Sequence, residues 1–247
     1  MRVALVCGVI ERRLLVAYRL DPDVAQNLLP APLRTRLISG YAVAGIALAR
    51  LGQLRPAGLP SVGGLTRESA THGIAVEWES ARDLHTGVYV LHRDSGAPTG
   101  APGDGVGPRR HLRRTPQFTV DERTDGLHVA YTSRNRTVHI DVDVVLAASL
   151  AGSALFSDAP AAARFFALDG AGAAWGPQGR GWRLTARDRC LGAAHVRTAT
   201  SSIFADASVF PPGSAQLDSA LLLRDVAVAW APLERVRVPR RAAASLA

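Results

Sequence analysis

Residues 64–114 set the architecture. They open with Gly64-Leu65-Thr66-Arg67-Glu68, pass through Ile74-Ala75-Val76-Glu77-Trp78 and Gly87-Val88-Tyr89-Val90-Leu91, and close on Gly107-Pro108-Arg109-Arg110-His111. β-Branched and aromatic residues predict strands over about 69–78 and 86–93, the second returning beside the first. Residues 94–117 hold Gly, Pro and Asp without a hydrophobic period and read as a long loop. Loops of that length are functional or disordered more often than purely connecting. A carboxylate leading a strand, a return strand and a loop of clustered cations together suit a small-molecule pocket.

Toward the N-terminus, residues 3–10 and 14–20 are rich in Val, Leu and Ile and read as two strands. Asp21-Pro22 supplies an N-cap and a first-position proline for a short helix over Val24 to Leu29, stopped by Pro30 and Pro32. From Tyr41 to Leu51, Ala42, Ala44, Ile46 and Leu48 would share one strand face, although the periodicity also admits a helix. Arg55 to Pro60 is turn-rich.

Toward the C-terminus, Phe118 to Val145 is strand throughout. Val138, Ile140, Val142 and Val144 alternate with Thr137, His139, Asp141 and Asp143. Ser157-Asp158 caps a helix over about 159–168 with Gly170 as its stop, and strands follow near 181–187 and 194–203. Phe210-Pro211-Pro212-Gly213 makes a turn before the apolar run Leu217 to Trp230, which fits either element type. Many strands and few short helices predict a mainly β (α+β), antiparallel protein. One domain over 1–234 and a basic, Ala-rich tail over 235–247 are expected.

At 247 residues, 47% hydrophobic and 20% charged, the chain can bury a substantial core. No apolar run reaches the roughly 20 residues that span a bilayer. The opening Met1 to Cys7 is followed too soon by Glu11-Arg12-Arg13 for a signal peptide, so a cytoplasmic location without membrane association is expected. Cys7 and Cys190 make neither a disulfide framework nor a zinc site. The net charge is +8, and all 29 basic side chains other than histidine are arginine. Without lysine, no side chain of this chain can form a Schiff base.

Several short motifs, in order, resemble the acetoacetate decarboxylase superfamily. They are Tyr18-Arg19-Leu20-Asp21-Pro22 with Leu28-Leu29-Pro30-Ala31-Pro32-Leu33, Gly40 to Gly45, Leu51 to Pro56, Gly87 to Val90, and Phe210 to Ser214 with Leu217 to Leu222. The nearest likeness is to an uncharacterised bacterial branch without the Schiff-base lysine. The resemblance implies a single-domain β-barrel or cone of antiparallel strands, pocket inside and helices outside. It matches Thr66-Arg67-Glu68 to the family's Tyr-x-Glu motif, keeping the glutamate, and Pro108-Arg109-Arg110 to a Pro-Lys-Lys segment whose first lysine is the reactive amine. In acetoacetate decarboxylase the neighbouring cation lowers the pKa of that amine and so activates it as a nucleophile. A second acidic residue of the family falls near Gly45 and is missing.

Schiff-base decarboxylation is therefore excluded. The expected activity is cofactor-independent proton transfer on a small carbonyl or carboxylate compound: aldol-type condensation, dehydration or cyclisation in specialised metabolism. The alternative is a non-catalytic module that binds small acids. Glu68 is the expected acid or base and Arg109 its catalytic partner, with Arg110, Arg50, Arg55, His72, Tyr89 and His111 contacting substrate. No cofactor or metal is expected. His139, Asp141 and Asp143 lie in steps along one strand and cannot converge on one ion. Aromatic residues are 6% and no nucleic-acid motif is present, which argues against nucleic-acid binding through 109–114 and 235–241. Homo-oligomerisation is compatible with this plan.

Overall fold

The structure, a computed structural model, describes residues 6–60, 65–79, 83–96, 115–166, 171–175, 181–187 and 190–232. In chain order the elements are β1 (Val6–Leu20), α1 (Pro22–Asn27), β2 (Arg34–Thr35), β3 (Leu37–Ile38), β4 (Tyr41–Pro56), β5 (Leu65–Glu79) and β6 (Leu84–Ser95). They continue as β7 (Gln117–Glu122), β8 (Gly126–Thr132), β9 (His139–Ala147), α2 (Ala159–Phe165), β10 (Ala171–Trp175), β11 (Gly181–Arg187), β12 (Cys190–Ser201) and β13 (Ala215–Pro232). Among the described residues no helix is long and apolar enough to cross a membrane.

β1 is the hinge of the architecture. It pairs antiparallel with β4 along one edge and with β13 along the other. From β4 the sheet passes through β5, β6, β10 and β11 and returns to β13. These pairings run round a hollow, giving the expected cone. One junction departs from the antiparallel expectation: among the described residues β6 meets β10 in parallel, through Ala174↔Val88 and Trp175↔Tyr89. The N-terminal part of β13 also carries β12, which continues through β9, β8 and β7 as a wing.

The sequence predicts two strands before residue 21, but there is one. The charged Glu11-Arg12-Arg13 segment stays in the ladder because register shifts at Cys7/Val9 and Ile10/Arg12 bend β1 there. Glu11 lies over Gly52, where an added Cβ would come 1.8 Å from its Oε1 and displace the end of that side chain. The two ambiguous apolar runs, at 41–51 and 217–230, both lie in strands. α1 and α2 start where the caps place them, with Asp21 accepting from the Asp23 and Val24 amides and Asp158 from that of Ala161.

β1, β4 and β5 are buried on both faces. Leu14, Val16, Ile46, Leu48 and Ile74 face the wing, where Leu127, Val129, Ile140 and Val142 meet them. Leu15, Ala17, Val43, Ala49 and Ala75 face the other way with the α2 aromatics. Alternation along each strand therefore sorts every side chain onto the cone–wing seam or the hollow.

Candidate functional site

The hollow is a cavity of about 200 Å³. Space for it arises because Gly45, Ala47 and Ala49 on β4 and Gly73 and Ala75 on β5 present little or no side chain. Its polar end is built from Arg13 of β1, Ser69 and Thr71 of β5 and Arg93 of β6. The ladders put these groups side by side: Arg13 is opposite Ala49 and Ala49 opposite Ser69, while Thr71 is opposite Arg93. At the far end stand Phe165 and Phe166, with Arg36 donating to the Phe165 carbonyl at 2.6 Å and lying 4.2 Å over its ring.

Arg13 makes no hydrogen bond or ion pair with a described residue. Burial, and then the nearby Arg93 cation, lower its pKa to about 10, so it stays protonated at neutral pH. A desolvated guanidinium without a counter-ion is costly, and a carboxylate or oxyanion in the cavity would relieve that cost through a bidentate contact. Ser69 donates its hydroxyl to the Asp94 carbonyl at 3.3 Å. No carboxylate or imidazole is among the described residues lining the cavity.

Glu68 does not line it. On β5 it points to the opposite face from Ser69, where Arg12 reaches it at 2.7 Å and Arg50 at 3.5 Å. Arg12 also meets Glu122 at 2.5 Å, Arg224 meets Glu122 at 2.7 Å, and Arg50 meets Glu11 at 2.7 Å. Burial draws the Glu122 carboxyl upward, but its bonds from Arg224 and Arg12 outweigh this and hold it below the usual range. The result is an alternating chain of six charges bracing β1, β4, β5, β7 and β13.

The other expected site residues are scattered. His72 is fully buried on the seam; its Nε2 is 2.9 Å from Ser201 Oγ, its Nδ1 has no partner, and burial followed by His92 pushes its pKa down to about 3. Tyr89 is buried on the same side, its pKa raised by burial. Arg55 braces its own turn, donating at 3.0 Å to the carbonyls of Leu59 and Gln53. Arg109, Arg110 and His111 lie outside the described residues. His139 and Asp141 are exposed on the outer side of β9, and no group of three metal-ligating side chains occurs among the described residues.

Glu68 and Arg50 therefore meet on the seam side with His72 further along it, while Arg13, Ser69, Thr71, Arg93 and Arg36, none expected from the sequence, line the hollow. The available signal was in β1. Leu14, Val16 and Tyr18 make one face apolar and Leu15 and Ala17 the other, so Arg12 and Arg13 each point to a face that is largely apolar; Arg12 is buried and Arg13 half-buried. For β5, moving the match by one residue exchanges Glu68 for Ser69 inside the cone.

No protein-family model matches the sequence, and a search of curated proteins finds no relative. Solved structures do match. An acetoacetate decarboxylase-like enzyme from Sphingomonas wittichii RW1 superposes with a TM-score of 0.53 at 14% identity, covering 95% of this chain and 94% of that one. This chain is acetoacetate decarboxylase-like in fold. The acetoacetate decarboxylase of Legionella pneumophila agrees, with a TM-score of 0.54 at 8% identity over 95% of this chain and 90% of its own. So does MppR, an enzyme of enduracididine biosynthesis, with a TM-score of 0.51 at 13% identity over 94% and 87%. The acetoacetate decarboxylase-like fold thus carries enzymes with different names, and at these identities the likeness concerns architecture.

Proposed function

We propose that this protein takes a small carboxylate or carbonyl compound into the cone and acts on it without a Schiff base, with Arg13 as the group that receives the oxyanion. The observation that carries this reading is a half-buried guanidinium at the cavity's polar end with no ion-pair partner among the described residues. A guanidinium fixed beside a carbonyl oxygen stabilises the negative charge that develops there as an α-proton passes to a base, in this reading water admitted to the polar end. That chemistry is common to aldol-type condensation, dehydration and cyclisation, and the fold's occurrence in named enzymes supports catalysis. Glu68, held by Arg12 and Arg50 on the other face, is a structural carboxylate in this reading.

A second reading, a binding protein without turnover, is favoured by one observation: the described cavity lining offers no carboxylate or imidazole to move a proton. One experiment separates the two. Small 2-oxo acids are titrated calorimetrically into wild type and Arg13→Met, and their α-protons are followed by NMR in D₂O. Binding that is lost in Arg13→Met supports the shared anchor, and undiminished binding refutes it. Protein-dependent α-proton exchange supports the enzyme; binding without exchange supports the carrier.

A further inference from the structure

We infer that the ligand is an amphiphilic carboxylate, with one anionic head at Arg13 and an apolar body directed at Phe165 and Phe166. This rests on the role proposed for Arg13 and adds the chemistry of the rest of the molecule. The cavity is sorted along the strands. Its polar side chains belong to the two rows containing Arg13 with Ser69, and Thr71 with Arg93. The next rows are apolar: Gly45, Gly73 and Val90, then Val43, Ala75 and Val88.

Arg36 reaches the far end, where its amide donates to the Ala75 carbonyl at 3.0 Å. Its guanidinium lies over the Phe165 ring and gives one N–H to the Phe165 carbonyl, so that end is an aromatic platform with a cation on the Phe165 face and the Phe166 ring beside it. Thr86 is the polar exception there. Thr71 and Ala75 are four residues apart, about 13 Å at strand rise.

Volume sets the size. An apolar cavity of about 150 Å³ accommodates benzene, so the 200 Å³ here has room for a ring or branched chain together with a carboxylate. A two-carbon acid would satisfy Arg13 and leave the apolar rows against water. A neutral molecule of the same shape would fill those rows and leave Arg13 unpaired. Each omission is unfavourable, and an acid with a body of about six to eight carbons avoids both.

The test is calorimetry on the full chain with phenylacetate, acetate and phenylacetamide, which separate head from body. Phenylacetate should bind at least tenfold tighter than either acetate or the neutral amide. Ala47→Leu, which narrows the waist between the two ends, should weaken phenylacetate at least tenfold and acetate by less. Acetate binding as tightly as phenylacetate, with the amide still weak, would overturn the amphiphile and leave the Arg13 anchor standing. Amide binding as tight as phenylacetate would overturn the anchor itself, and no binding by any of the three would overturn both.

Discussion

Arg12 and Arg13 are consecutive in sequence and identical in chemistry, yet their surroundings are opposite. Arg12 is 1% exposed on the seam and held between Glu68 and Glu122. Arg13 faces the hollow beside a second cation and has no described carboxylate partner. Because a strand alternates, one backbone segment delivers one guanidinium to each face. The difference separates a charge whose field is spent on holding strands together from one whose field is left for a visitor.

The largest effect should follow from breaking the outer side. Arg12→Met leaves Glu68 only the longer contact from Arg50 and Glu122 only Arg224, and should cost about 3 kcal/mol of unfolding free energy, the low end for losing one partner of a buried pair. Urea denaturation measures it.

A pH series tests the same seam through His72. Its imidazole is kept neutral in the fold, with a pKa near 3 against 6.5 ordinarily. The unfolded chain therefore takes the proton first. Stability from this group is complete above about pH 6.5 and is lost as pH falls from there toward 3, at up to about 1.4 kcal/mol per pH unit. His92, whose pKa burial lowers despite Asp94, adds to the slope in the same direction. Urea midpoints between pH 7 and pH 4 should show the slope, and His72→Asn should flatten it.

Glu68→Gln keeps an acceptor for Arg12 and removes the charge, so a loss of about 1–2 kcal/mol is expected, with ligand-dependent proton exchange retained. Abolished exchange in a folded Glu68→Gln protein would return Glu68 to the chemistry. The smallest stability change belongs to Arg13→Met. Removing a half-buried cation that has no partner among the described residues should leave stability unchanged or raise it by up to about 1 kcal/mol while removing affinity for carboxylates. A thermal melt alongside the titration checks both halves.

Much of the fold was legible because alternation is a local signal. Val138 to Val144 announces β9, and the caps at Asp21 and Asp158 announce both helices. Strands buried on both faces were harder: at Tyr41–Pro56 and Ala215–Pro232 nearly continuous apolar runs erase the period that distinguishes strand from helix. The site was least legible, for a physical reason. A cavity is made by what side chains lack, so Gly45, Ala47 and Gly73 carry no signature in sequence, and which of two adjacent residues faces inward depends on register. Glu68 and Ser69 show the consequence, since they are adjacent in sequence and a one-residue change of register would exchange which of them faces the hollow. Arg13 differs from Arg12 only in the company that the fold assembles around it.

The most direct test is a crystal structure of the protein with phenylacetate bound. The account predicts the carboxylate at hydrogen-bonding distance from the Arg13 guanidinium, about 2.7–3.2 Å, with the ring lying toward Phe166 and the Arg12–Glu68 pair undisturbed. Phenylacetate seated against Glu68 on the seam, or inside the cone with its carboxylate turned away from Arg13, would contradict it.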